Sequence, residues 1–236
     1  MLVFILILLG AKEGLSETND LCGRSNIEEC LPKHNISFPS SEEEINMLCP
    51  RVLKHQECLL NYTRNCGEVH IFKIDFTVER QQMAFDIMKE ICKMDSVLHS
   101  NVSDHIGCLY NVTEYHSSNC SQTFRSRKDN LIQYIFEREG NYDELDEFGQ
   151  HRLWESFGCL EKTLFLTCYS AQTLEKCGAG AQELVLHLLY GIEFFEQFCP
   201  ISKREDVNEL LNIMKLDADD VRSLEELLAG QSSNNN

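Results

Sequence analysis

Apolar residues recur along this chain at helical spacing, and only twelve glycines and four prolines punctuate its 236 residues. A repeat of three to four residues gathers the apolar side chains into a stripe on each segment, which predicts an all-α fold rather than alternating strands. The first clear start is Ser41-Glu42-Glu43-Glu44. This is a capping box, in which the serine and the glutamate three residues on satisfy free N–H groups at the head of a helix carrying Ile45, Leu48, Val52 and Leu53. Pro50 inside it predicts a kink or a restart. A second helix is expected over about 78–99, with Met83, Ile87, Met88, Ile91 and Leu98 roughly on one stripe. Further helices are expected over 130–138, 153–176, 181–198 and 203–215, the last opened by the box Ser202-x-x-Glu205, with a short closing helix over 219–228. The polar tail, 231–236, is expected to be disordered.

The chain opens differently. Leu2 to Leu9 form an unbroken apolar run, followed by Gly10, Ala11 and small or polar residues through Ser16. That reads as a secretory signal peptide over 1–16. The run is too short for a bilayer, which needs about 20 apolar residues. The richest later segment, 184–195, is interrupted by His187 and Glu193, so no transmembrane anchor is expected.

Cysteine use agrees with export. Twelve cysteines, Cys22, Cys30, Cys49, Cys58, Cys66, Cys92, Cys108, Cys120, Cys159, Cys168, Cys177 and Cys199, all follow the apolar run. The number is even, there is no Cys-x-x-Cys pair, and no cysteine–histidine group has metal-ligand spacing. Disulfides in an oxidising compartment are therefore expected, and a zinc site is not. The spacings also repeat. The series Cys49, Cys58, Cys66, Cys92 returns as Cys159, Cys168, Cys177, Cys199 at an offset of 107 to 111 residues, and Gly67 and Gly178 each follow the third member. This predicts two related stapled helical hairpins joined by a middle block with Cys92, Cys108 and Cys120, in an N-terminal half over 17–120 and a C-terminal half over 121–230.

Twelve cysteines allow roughly ten thousand pairings, and helix geometry favours two bridges among them. With a turn at Cys177, Gly178 and Gly180, ~27 Å of helix runs back to Cys159 and ~27 Å runs forward to Cys199, so these thiols meet at the open end of an antiparallel hairpin. The same arithmetic brings Cys49 to Cys92.

Five glycosylation sequons, at Asn35, Asn61, Asn101, Asn111 and Asn119, exceed the roughly two that this composition yields by chance. At Asn119 the middle residue is Cys120, whose disulfide competes with glycan transfer. The net charge of −17 opposes nucleic acid and anionic membrane surfaces, which need a basic face, and serves solubility outside the cell.

No nucleophile elbow, paired zinc-binding histidines, phosphate-cradling glycine loop or dinucleotide fingerprint is present, so neither catalytic residues nor a cofactor is expected. Asp217-Ala218-Asp219-Asp220 begins like a calcium loop. It fails at Arg222, where glycine is required, and at Leu228, where a bidentate glutamate is required; helix capping by Asp219 accounts for it. His99, His105 and His116 read as exposed loop histidines rather than a metal or pH-sensing site. The aromatic and aliphatic stripe Trp154, Phe157, Leu160, Leu164 and Phe165, with Leu188, Leu189, Ile192 and Phe195 opposite, reads first as hairpin core. As a ligand site, Trp154, Phe157, Leu164, Leu188 and Ile192 would line a pocket for a small apolar ligand.

Phe157-Gly158-Cys159-Leu160, Cys168, Leu174-Glu175-Lys176-Cys177 and Cys199-Pro200 resemble the C-terminal cysteine block of the small haemolymph glycoproteins of insects and other arthropods. Ile91-Cys92-Lys93-Met94-Asp95 to Gly107-Cys108-Leu109 is similar to that family's central block. Gly178-Ala179-Gly180 stands where the family has a proline-containing turn, and the extension past Cys199 is longer than the family's. The resemblance implies a secreted body-fluid glycoprotein without enzymatic activity. The expected function is thus an extracellular, non-enzymatic binding or storage role, its partner an apolar ligand or another extracellular protein. A venom or defence component acting on a foreign protein is the alternative, ahead of a secreted hydrolase.

Overall fold

The structure is a computed structural model. It describes residues 30, 37–67, 69–71, 74–116, 120, 122, 133, 137, 147–194 and 199, with 69–71, 74–76, 116, 147–157 and 160 as backbone alone. The protein is all-α. Its elements are α1 (Glu42–Cys66), a ribbon of β1 (Val69–Ile71) and β2 (Ile74–Phe76), α2 (Val78–Ile91), α3 (Val97–Asn111), a π-helical turn (Val112–His116), α4 (Glu147–Cys177) and α5 (Ala179–Gly191).

Local chemistry sets the helix ends. Ser41 caps α1 by accepting from the Glu44 N–H at 3.3 Å, while the Glu44 carboxylate reaches back to the Ser40 N–H at 2.6 Å. That bond, with a second from the Ser40 hydroxyl, holds the Glu44 carboxyl below its ordinary range. The expected capping box is thus present, its return bond displaced to Ser40. Helix α1 runs unbroken through Pro50, so no restart occurs there. Pro50 lies on the exposed face, where the carbonyl that loses its usual donor can be hydrated.

The single helix expected over 78–99 is instead two. Helix α2 ends at Cys92, and Ser96 opens α3, its hydroxyl accepting from the His99 N–H at 2.9 Å and donating to the Glu90 carbonyl at 2.6 Å. The seven-residue spacing of Ile91 and Leu98, two helical turns, hid this break, and α3 beyond residue 99 was not expected. The ribbon was also unforeseen; it pairs Val69 with Phe76, His70 with Asp75 and Ile71 with Ile74. Of the later expected helices, 153–176 is realised within α4 and 181–198 in part as α5. Within 130–138, Gln133 and Glu137 are helical and hydrogen-bonded at 2.9 Å. The expected segments 1–16, 203–215, 219–228 and 231–236 lie outside the described residues.

The described residues divide into two compact units, one holding those up to Asn111 together with Glu183–Glu193, the other Val112–Gln182 together with Phe194 and Cys199. Against the consecutive halves 17–120 and 121–230, the first unit ends earlier and takes in a later stretch of chain. Its core comprises Ile45, Val52, Leu59 and Leu60 of α1, Met88 and Ile91 of α2, Val102, Ile106 and Leu109 of α3, and Leu184, Val185, Leu188, Leu189 and Ile192. Each fully buried side chain of this kind contributes about 1.5–3 kcal/mol. Gly191 permits a close approach, since a Cβ there would stand 2.7 Å from the Ile87 side chain.

In the second unit the most buried face of α4 is unusually polar: Cys159, Thr163, Leu166, Thr167, Tyr169, Ser170 and Thr173. The threonines are satisfied within the helix, donating to the carbonyls of Cys159, Thr163 and Tyr169 at 2.7, 2.9 and 2.8 Å, and Ser170 accepts from Gln182 at 3.0 Å. Hydroxyls bonded four residues back can enter a core without an orphaned donor.

The duplication written in the cysteines extends to packing. Helices α1 and α4 both end at the third cysteine of their series and pass into a glycine of positive φ, Gly67 at 85° and Gly178 at 84°. Each glycine N–H closes the last turn, on Thr63 at 2.9 Å and on Leu174 at 3.0 Å. At a constant offset, Cys49, Gln56, Leu59, Leu60 and Thr63 answer to Cys159, Leu166, Tyr169, Ser170 and Thr173, and all ten are buried. One substitution between the blocks is informative. Gln56 is 1 % exposed, with neither amide atom hydrogen-bonded by the protein, whereas its counterpart Leu166 is apolar and equally buried. Replacing Gln56→Leu is therefore expected to raise stability by about 1–2 kcal/mol, read as a higher denaturant midpoint at unchanged slope. A lower midpoint would mean that the amide is bound.

Candidate functional site

Four disulfides are placed among the described residues: Cys30–Cys58, Cys49–Cys92, Cys120–Cys168 and Cys159–Cys199, with Cα separations of 5.4, 5.5, 5.5 and 4.6 Å. Cys66, Cys108 and Cys177 are disulfide-bonded as well, and no described cysteine is free. Both bridges favoured by helix length, Cys49–Cys92 and Cys159–Cys199, are present. They close the same positions of the two blocks, and Cys30–Cys58 and Cys120–Cys168 tie equivalent second cysteines to an upstream partner. Cys22 lies outside the described residues.

Of the five sequons, Asn61 on α1 and Asn101 and Asn111 on α3 are described, and all three asparagines are exposed. Asn35 and Asn119 lie outside the described residues. The partner hydroxyls, which sequence alone could not place, turn inward. Thr63 is 1 % exposed and donates to the Leu59 carbonyl at 2.9 Å. The Ser103 hydroxyl is buried. Thr113 lies 3.2 Å from the Tyr169 hydroxyl. Desolvation pushes Tyr169 up to about 12, against the opposing effect of hydrogen bonds from Thr113 and Thr173.

The five residues of the expected apolar pocket fall in both units. Leu188 and Ile192 are buried in the first. Leu164 is half-buried in the second, where Phe165 stacks on Tyr169 at 6.2 Å between centroids. Trp154 and Phe157 lie on α4, their side chains outside the described part. Of the stripe on α4, only Leu164 and Phe165 have described side chains, and both are half-buried.

The histidines depart from the expected exposed loops. His99 is 2 % exposed within α3, its Nδ1 2.7 Å from the Ile91 carbonyl and its Nε2 3.4 Å from Glu42. His105 is half-buried on the same helix, and His116 ends the π-helical turn. His55, 5 % exposed, bonds the Cys30 carbonyl through Nδ1. These rings fasten segments to one another, with Cys30–Cys58 beside one and Cys49–Cys92 beside the other.

Among the described residues no group of three histidine, cysteine or carboxylate side chains is placed to hold a metal ion, and no helix is long and apolar enough to cross a membrane. The calcium-like stretch 217–228 lies outside the described residues. Compared with family models, curated proteins and solved structures, the chain finds no match.

Proposed function

We propose that this chain is a secreted, N-glycosylated, acidic protein of an extracellular fluid, with a non-enzymatic binding or storage role of the kind its resemblance to arthropod haemolymph glycoproteins implies. The observation that carries this reading is that every described cysteine is in a disulfide, repeated at equivalent positions of two blocks. Such a density of bridges belongs to an oxidising compartment. The exposed Asn61, Asn101 and Asn111 and the apolar run at the head of the chain support it. The ligand class proposed is a small apolar molecule, with Trp154 and Phe157 the first residues to substitute.

Native mass spectrometry of the secreted protein tests this. After enzymatic removal of glycans, the mass is expected to fall by the glycans and to show all twelve cysteines closed. Under native conditions it should carry an excess that leaves on denaturation, and Trp154→Ala should lose that excess. A chain retained in the cell, or free of glycan, would overturn the reading. A secreted glycoprotein without the excess would overturn the apolar ligand and leave a role exerted through the surface.

A further inference from the structure

Each described sequon lies in helical structure: Asn61-Tyr62-Thr63 in α1, Asn101-Val102-Ser103 in α3, and Asn111-Val112-Thr113 where α3 passes into the π-helical turn. Two residues along a helix turn its face by about 200°. An asparagine that faces solvent therefore sends the hydroxyl of its own sequon to the opposite side, into the protein. That arrangement holds at all three positions, since the asparagines are exposed while Thr63 donates to the Leu59 carbonyl, the Ser103 hydroxyl is buried, and Thr113 meets the buried Tyr169.

Glycan transfer needs both groups at one place. The Nδ2 of asparagine attacks the anomeric carbon of a lipid-pyrophosphate-linked oligosaccharide, forming the C–N bond. The bond from that carbon to the phosphate oxygen breaks, the lipid pyrophosphate leaves with the electron pair, and an amide proton passes to a base. The Ser or Thr hydroxyl of the acceptor is part of what is recognised. A transferase that must touch the asparagine amide and the hydroxyl together can do so on an extended chain, where the intervening residue is free to turn. It cannot do so on a helix whose hydroxyl face is packed into a core.

We propose that Asn61, Asn101 and Asn111 are glycosylated only while α1 and α3 are unformed, and that the closed fold is not an acceptor at any of the three. This rests on the secreted-glycoprotein reading and adds to it an order of events. The sequon hydroxyls serve twice, as recognition elements on the nascent chain and as packing groups afterwards.

The test uses the full chain in glycan-free form, prepared once with its disulfides formed and once reduced and alkylated. Both are incubated with microsomal oligosaccharyltransferase and a lipid-pyrophosphate oligosaccharide donor, with a short Asn-x-Thr peptide as activity control. Site occupancy is then read by peptide mass mapping. The reduced chain is expected to acquire glycan at all three asparagines, and the folded chain at least tenfold less at each. Equal transfer to the folded chain at any of the three would overturn the proposal there. Transfer to neither form, with the control peptide modified, would remove the glycoprotein reading itself and the proposal with it.

Discussion

A variant in which Cys49 and Cys92 are both alanine is expected to lose about 4 kcal/mol of stability against the parent chain. The bridge spans 43 residues, and freeing a loop of that length returns its closure entropy to the unfolded chain. The bond also joins the first third of α1 to the end of α2, next to the buried Ile91, so its loss loosens the core of the first unit. The companion variant Cys159→Ala with Cys199→Ala opens a loop of 40 residues and is expected to cost about the same. Denaturant unfolding of both variants measures this. A loss below ~1 kcal/mol in either would mean that the helices of that block are held by packing alone.

The second large effect appears in alkali. Tyr169 is 2 % exposed, and its hydroxyl is pushed up to about 12 by burial. In the unfolded chain a tyrosine ionises near pH 10. Because the folded value is the higher, the contribution is fully present below pH 10 and is lost as pH rises from 10 towards 12. Over that window the unfolded state gains about 2.5 kcal/mol relative to the folded one. Tyr169→Phe should be less stable than the parent near neutrality, by about 1 kcal/mol for its lost hydrogen bonds, and should lack this part of the alkaline decline. The difference between the two stability curves from pH 9 to pH 12 isolates the group from other titrations. Parallel curves would mean that Tyr169 ionises as a solvated phenol.

Much of this architecture could be read directly from residues. Ser41 with Glu44 marks the head of α1, and the glycines after Cys66 and Cys177 mark two helix ends, since each is a local chemical requirement written in one or two side chains. The Cys49–Cys92 and Cys159–Cys199 bridges followed from helix rise alone, a length being more robust to error than a face. What escaped was of another kind. The break before Ser96 was masked because Ile91 and Leu98 continue an apolar period that belongs to two helices rather than one. Gln56, His99, Thr163, Thr167 and Thr173 look like surface residues to any hydropathy count, yet they are buried; for the threonines and His99 the partners are main-chain carbonyls, and no composition records those. The candidate site was legible only as sequons and cysteines, because modification motifs are contiguous. A ligand surface is assembled from distant segments and leaves no such mark.

The inclusion of Glu183–Glu193 in the first unit bears on the order in which the chain is made. When Asn111 leaves the ribosome, the 82 residues from Val112 to Glu193 have still to follow before the last wall of that unit exists. At 5–20 residues per second the delay is roughly 4–16 s. During that interval the first unit lacks the buried Leu184, Leu188 and Leu189 and the Gly191 backbone that packs on Ile87 of α2, and the unit is vulnerable to chaperone capture and to mispairing of its thiols. A truncation just after residue 182 should therefore yield a misassembled N-terminal fragment rather than a shorter native one, although every cysteine of the first block is present.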